Sequence, residues 1–449
     1  MNTPPEFGHF ARQRWQRALG WIGQGTAAID TPALVIDLDA MERNLARMAE
    51  FCRARGLRLR PHAKMHKSAE IARLQMAHGA VGVCVQKTDE ALALAQAGVT
   101  DIYLSNEVVA PAKLARLAQA VRDLPTRFAI AVDSEAGLTG LLDALRQAGV
   151  TQAAAIDVLV EIDVGHGRCG AAPAQAVALA QQVLSHPTLR FAGLQAYHGS
   201  AQHRRAAAER DTALAASEAT VRQTLAALAA AGIAVPLVTG AGTGSFVREA
   251  ASGLWGELQA GSYLFMDADY ASNEADANAP VFEHALFIKS AVMSAATDHV
   301  VCDAGHKSHA IDSGLPTVWL PEGPGACRAW GADGENRPQR GQFSPDSQPH
   351  SPAMGQEAGE KWAAAADLEP ALPKSDRLLS YANGGDEHGI LRAVGASAAL
   401  PALGETVWLV PGHCDPTVNL HDFAIGVRGG LDAGRVERLI AIDARGAAA

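Results

Sequence analysis

Eight short runs of strand character recur through the first 263 residues, and their spacing constrains the fold more than any other feature. They lie at 57–62 (LRLRPH), 81–86 (VGVCVQ), 101–105 (DIYLS), 127–132 (RFAIAV), 157–164 (DVLVEIDV), 193–198 (GLQAYH), 235–239 (VPLVT) and 257–263 (ELQAGSY). Seven of the eight are followed by a helical segment, such as DEALALAQA (89–97) or PAQAVALAQQVL (173–184), and none by a hairpin signal. Strands that alternate with helices pair in parallel, and eight such units imply closure into a (β/α)8 TIM-type barrel. An open doubly wound sheet is the competing arrangement. One pair precedes the series: LVIDLD (34–39) reads as a strand, and AMERNLARMAEFCRARG (40–56) as a helix stopped at Gly56.

Beyond about residue 280 the helices disappear. ALFIKSAVMS, HVVCDAG, ETVWLVPG and FAIGVRGG are β-like runs separated by turns, so a mainly antiparallel β domain is expected there. Residues 321–377 are rich in Pro, Gly, Gln and Ser and read as a flexible insertion, with at most a short helix near Glu357–Ala366. The expected organisation is an N-terminal arm (1–30) packed on the β domain, a barrel (31–280) and a β domain (281–449) carrying a metal site.

Composition removes several function classes. A net charge of −10 provides no basic field for nucleic acid. Six cysteines are scattered without CxxC pairs, which reads as a reducing compartment with mostly buried thiols. No apolar segment resembles a secretory signal, and none reaches the ~18–20 residues of a membrane span. A cytoplasmic protein is expected.

In a barrel, chemistry gathers where strands end. The first strand ends in His62 and Lys64, and the fifth runs into EIDVGHGRCG (161–170), which carries Arg168 and Cys169. The sixth ends in Gln195, Tyr197 and His198, the seventh in TGAGTGS (239–245), and the eighth in QAGSY (259–263). Glycines beside Thr243, Ser245 and Ser262 suit phosphate, because backbone amides can approach closely and hydroxyls add donors. A turn serving only barrel closure is the alternative. A phosphate site facing a lysine points to pyridoxal phosphate, with the lysine amine as covalent anchor. Lys64 sits at the strand end, whereas Lys67 is expected to begin the helix and face solvent. In PGHCDPTVNLHD (411–422), an extended backbone would project His413 and Asp415 to one side and Cys414 to the other. One nitrogen and one hard oxygen ligand suit an open Mn²⁺ or Mg²⁺ site better than a closed structural zinc.

These motifs together resemble the D-threonine aldolase and D-serine dehydratase-like group of pyridoxal-phosphate enzymes, which have the alanine-racemase barrel plus a β domain (fold type III). The resemblance rests on RPHAKMHK, YLSNEVV, EIDVGHGRCG, LQAYHGSAQH, TGAGTGS, ELQAGSYLFMDADY, DEHGI and HCDPTVNLHD, from about Thr31 to the C-terminus without the insertion. It implies Lys64 as the Schiff-base lysine, with Gly242, Thr243, Gly261 and Ser262 at the phosphate. Arg168 and Tyr197 would lie near the pyridine ring, and His413 and Asp415 would bind the divalent metal. Dehydratase relatives look like His–x–Cys at this place, so His–x–Asp favours an aldolase with manganese, or magnesium. The implied reaction cleaves a D-3-hydroxy amino acid to glycine and an aldehyde, in a homodimer. His198 is the expected base for the β-hydroxyl proton, with a water-derived base at the metal as rival. The alternatives are a D-serine or 3-hydroxyaspartate dehydratase and a non-catalytic pyridoxal-phosphate carrier. His306, Lys307, Asp386, Glu387 and His388 could line the pocket, lie at a subunit interface or be surface turns.

Overall fold

The computed structural model describes residues 8–276, 278–319, 379–394 and 399–448, beginning with a helix, His9–Leu19, and a strand, β1 (Ala33–Asp37). Asp37 ends β1 and caps the next helix, Leu38–Ala54: its carboxylate accepts from the Asp39 and Ala40 amides at 3.0 and 3.1 Å. Eight parallel strands follow: β2 (Arg58–Leu59), β3 (Val83–Val85), β4 (Asp101–Leu104), β5 (Arg127–Val132), β6 (Ile156–Glu161), β7 (Leu189–Ala196), β8 (Val238–Gly240) and β9 (Glu257–Leu258). Their order in the sheet is β2-β9-β8-β7-β6-β5-β4-β3. A parallel bridge between His62 and Cys84 closes the ring, and the Cys84 amide donates to the Pro61 carbonyl at 2.9 Å. The sheet is a barrel, not an open one.

The barrel interior combines apolar packing with a satisfied polar network. Tyr103 donates to Gln195 Oε1 at 3.0 Å, and Gln259 Nε2 donates to Gln195 Oε1 and Thr239 Oγ1 at 2.7 and 2.9 Å. Such buried groups would each cost free energy if left unpaired, so the network fixes how these strands face one another. Outside, helices such as Pro111–Asp123 bury an apolar stripe (Leu114, Leu117, Val121) at the 3–4 residue spacing their sequence shows.

The second sheet contains β1 with β10 (Leu286–Ala295), β11 (Val300–Cys302), β12 (Thr317–Trp319), β13 (Leu379–Asn383), β14 (Gly389–Ala393), β15 (Thr406–Val410), β16 (Phe423–Arg428) and β17 (Arg435–Ala441). Its pairs are antiparallel except β1 with β16. This corrects the expectation that residues 31–280 are all barrel. All five residues of β1 are buried, and the strand lies between β10 and β16. A buried run of this kind, apolar up to Asp37, announces a central strand but does not name its sheet. The chain thus begins in one sheet, builds the barrel and returns, so the two units share a seam.

Trp15 of the first helix meets Phe423 edge to face at 5.3 Å, and Arg14 pairs with Asp422 at 3.5 Å, so this helix lies against the second sheet. Cys52, Cys84, Cys302 and Cys414 are buried free thiols. Among the described residues, no helix is long and apolar enough to cross a membrane. The expected insertion at 321–377 and the short helix near Glu357–Ala366 lie outside the described residues.

Candidate active site

Lys64 sits in a 3-10 turn, Ala63–Met65, just past the bridge that closes the barrel. Its ammonium pairs with Asp415 Oδ2, a residue of the other domain. Burial disfavours charge on Lys64, but the Asp415 carboxylate outweighs this and raises the ammonium above the ordinary lysine value. Asp415 is pushed up by burial, yet Lys64 and His413 together hold it below the usual carboxylate value.

Lys67 does not behave as the sequence suggested. Its backbone is left-handed (φ 50°), the helix begins only at Ala69, and the side chain is buried. Its Nζ meets Asn419 Oδ1 at 2.9 Å and Glu90 Oε1 at 3.1 Å. The turn folds Lys67 inward as a structural cross-link and directs Lys64 to the opening.

The His413–Asp415 segment is not extended. His413 precedes the helix Cys414–Asn419, which puts Asp415 in its first turn and Cys414 in the core. Asp267, fully buried after β9, holds this start: its Oδ2 accepts from the Cys414 amide and its Oδ1 from the Tyr270 amide, both at 3.0 Å. His413 Nε2 then lies 3.8 Å from Asp415 Oδ1, which is buried and has no hydrogen-bond partner among the described residues. An orphaned carboxylate oxygen beside an imidazole nitrogen fits a shared divalent cation.

The two glycine-bearing loops are tied together. The Tyr263 amide donates to Thr243 Oγ1 at 3.0 Å, leaving the Thr243 hydroxyl hydrogen to donate. A Cβ at Gly261 would lie 2.8 Å from the His62 carbonyl oxygen, so this glycine lets Ser262 approach the Lys64 turn. Ala241 carries φ 71°, a conformation rare for alanine, inside TGAGTGS. Behind this loop, burial raises the Glu249 carboxyl to about 8, so it adds no negative charge beneath an anion at neutral pH. Hydroxyls, close backbone and nearby Lys64 and Arg168 fit a phosphate ester.

A cavity of about 270 Å³ opens at the seam. Of the expected residues its wall includes Lys64, Arg168, Tyr197, Ser262, His413 and Asp415. Gly242, Thr243 and Gly261 sit in the loops joined to Ser262 rather than in the wall itself. The Arg168 guanidinium stands 5.7 Å from the Tyr197 ring centre. His198 is absent from the wall: its ring stacks on His166 at 6.0 Å, its Nδ1 lies 3.3 Å from Ser200 Oγ, and burial lowers its pKa. His306 and Lys307 pair with Asp386 on the surface at 2.8 and 3.0 Å, away from the wall.

The sequence reading missed His166, Gly199, Ser200, His203 and Tyr270, which complete the wall. His203 is the chemically notable one. Its Nδ1 meets Asp269 Oδ2 at 2.7 Å, so Nε2 is its free nitrogen. Both residues stand in the quoted motifs LQAYHGSAQH and ELQAGSYLFMDADY, but nothing local to either signals the pairing.

Residues 36–269 match the alanine racemase, N-terminal domain, and residues 285–427 a putative serine dehydratase domain. A D-threonine aldolase of Arthrobacter sp. is 41% identical over 426 residues, 94% of this chain and 95% of that one. The chain belongs to this aldolase family. A 3-hydroxy-D-aspartate aldolase of Paracoccus denitrificans is 36% identical over 94% of each chain. The crystal structure of D-threonine aldolase from Filomicrobium marinum superposes with a TM-score of 0.76 at 42% identity, covering 94% of this chain and 97% of that one. The alanine-racemase-type fold of this enzyme, a carbon–carbon lyase, follows from these matches.

Proposed function

We propose that the protein cleaves D-3-hydroxy amino acids to glycine and an aldehyde by a retro-aldol reaction that uses pyridoxal phosphate and a divalent cation. The observation that carries this reading is Lys64 beside the His413–Asp415 pair in the wall of one cavity. When bound there, pyridoxal phosphate supplies an electron sink for charge left at Cα, and the cation supplies positive charge beside the β-hydroxyl. Lys64 would anchor the cofactor, Thr243, Ser262 and the backbone at Gly242 and Gly261 would hold its phosphate, and Arg168 and Tyr197 would hold its ring. His413 Nε2 and Asp415 Oδ1 would hold the cation; a hard carboxylate oxygen favours manganese or magnesium over a thiolate-preferring ion.

The β-hydroxyl proton goes to His203 Nε2 in this account, in place of His198. Asp269 fixes the His203 ring through Nδ1 and leaves Nε2 to accept the proton. Loss of that proton drives Cα–Cβ cleavage, which releases the aldehyde; a proton returned to Cα gives glycine. A homodimeric state and a cytoplasmic setting, the latter in keeping with the buried free thiols, belong to the same proposal.

Glycine release by metal-stripped, cofactor-loaded protein tests the reading. Mn²⁺ should restore it in the wild type and not in Asp415→Ala. Metal-independent release, or full activity of D415A, would refute the cation's role.

A further inference from the structure

Asp312 stands outside the cavity wall, in the loop between β11 and β12, yet its carboxylate engages one of the proposed cation ligands. His413 Nδ1 lies 2.7 Å from Asp312 Oδ2, and Ser313 Oγ lies 3.3 Å from Nδ1 and donates to Asp312 Oδ2 at 3.2 Å. With Nδ1 engaged, Nε2 is the nitrogen directed at Asp415 Oδ1.

The placement of Asp312 is built by the fold. The Ala310 amide donates to Thr417 Oγ1 at 3.0 Å, and Thr417 in turn donates to the His413 carbonyl at 2.7 Å. His421 Nε2 meets the Ser308 carbonyl at 2.9 Å. A Cβ at Gly412 would lie 2.2 Å from the Gly314 carbonyl oxygen, so the backbones before His413 and after Asp312 touch directly. Three contacts, on both sides of Asp312, therefore bind its loop to the helix that carries Asp415 and to the residues flanking it.

We infer that Asp312 is a positioning residue for the cation: it holds the proton of His413 on Nδ1 and presents the Nε2 lone pair to the metal. An unrestrained imidazole samples both tautomers and rotates about its side-chain bonds. A carboxylate on the far nitrogen removes that freedom and strengthens the donor nitrogen, and loss of such a partner typically weakens metal affinity by about 10–100-fold. The inference rests on the reading of His413 and Asp415 as cation ligands.

The test is direct titration of metal-stripped protein with Mn²⁺, following the electron paramagnetic resonance signal of the free ion. Wild type, Asp312→Ala, Asp312→Asn and His413→Ala are compared. D312A should bind Mn²⁺ about 10–100-fold more weakly than wild type. D312N keeps an acceptor oxygen but not the charge, so it should fall between them. The Asp312 side chain is about half exposed, so the thermal midpoint without metal should hardly move, which a merely structural role would not predict. Wild-type affinity in D312A and D312N, with binding lost in H413A, would overturn the inference and leave the cation site standing. Equal binding by wild type and H413A would overturn both.

Discussion

The Asp267 carboxylate accepts a hydrogen bond from the Cys414 amide at 3.0 Å, so the barrel's last loop fixes the start of the helix that carries Asp415. The same carboxylate caps Tyr270, which lines the cavity. One buried side chain thus holds both domains' contributions in register. Asp267→Ala leaves two amides without their acceptor, a loss of about 1–3 kcal/mol. D267A should lower the denaturation midpoint and weaken Mn²⁺ binding together, measured by urea unfolding and metal titration. Loss of stability with unchanged metal affinity would reduce Asp267 to a structural role.

Two lysines in one motif have opposite surroundings. Lys64 faces the cavity, and Lys67 is buried against Glu90 and Asn419. Lys64→Ala should abolish the absorbance band of the protein-bound cofactor. Lys67→Met should keep that band while lowering stability, since Glu90 is left buried without its cation. A persistent band in K64A would move the anchor elsewhere.

The choice of base separates His203 from His198. If His203 takes the β-hydroxyl proton, His203→Ala should lower kcat by about 10²–10⁴-fold, while His198→Ala changes it by less than about tenfold. Asp269→Asn should also lower kcat, by a smaller factor than His203→Ala, because it loosens the contact that fixes the imidazole. A larger loss in H198A than in H203A would restore the original assignment.

Strand positions were legible because alternation with helices at this period leaves few folds open, and each of the eight strand segments overlaps its expected run. The partner of β1 was not, since a short run that is apolar from Ala33 to Ile36 suits the centre of either sheet. Lys64, Arg168 and the loop glycines could be read from strand ends. Tyr197 lines the cavity and His198 does not: both follow the end of β7 at Ala196, where the sequence no longer sets which way a side chain points. The His203–Asp269 pair joins positions 66 residues apart, and the inward turn of Lys67 depends on Asn419, 352 residues away. No local pattern encodes either contact.

Glu249 gives a pH signature. Burial raises its carboxyl from the ordinary 4.5 to about 8. A raised folded-state pKa means its stabilising contribution is complete below about 4.5 and is lost as pH rises through about 8. Glutamine lacks that dependence. Relative to wild type, Glu249→Gln should therefore gain thermal stability between about pH 5 and about pH 8.5, as read by calorimetry at both. A difference constant with pH would place a charged carboxylate there instead.

Product identity tests the central claim most directly. Purified protein is incubated with D-threonine, pyridoxal phosphate and Mn²⁺, and both possible product pairs are quantified in one sample. Retro-aldol cleavage predicts glycine and acetaldehyde in equal amounts, matching the D-threonine consumed. Formation of 2-oxobutyrate and ammonia without glycine would contradict the account and make the protein a dehydratase.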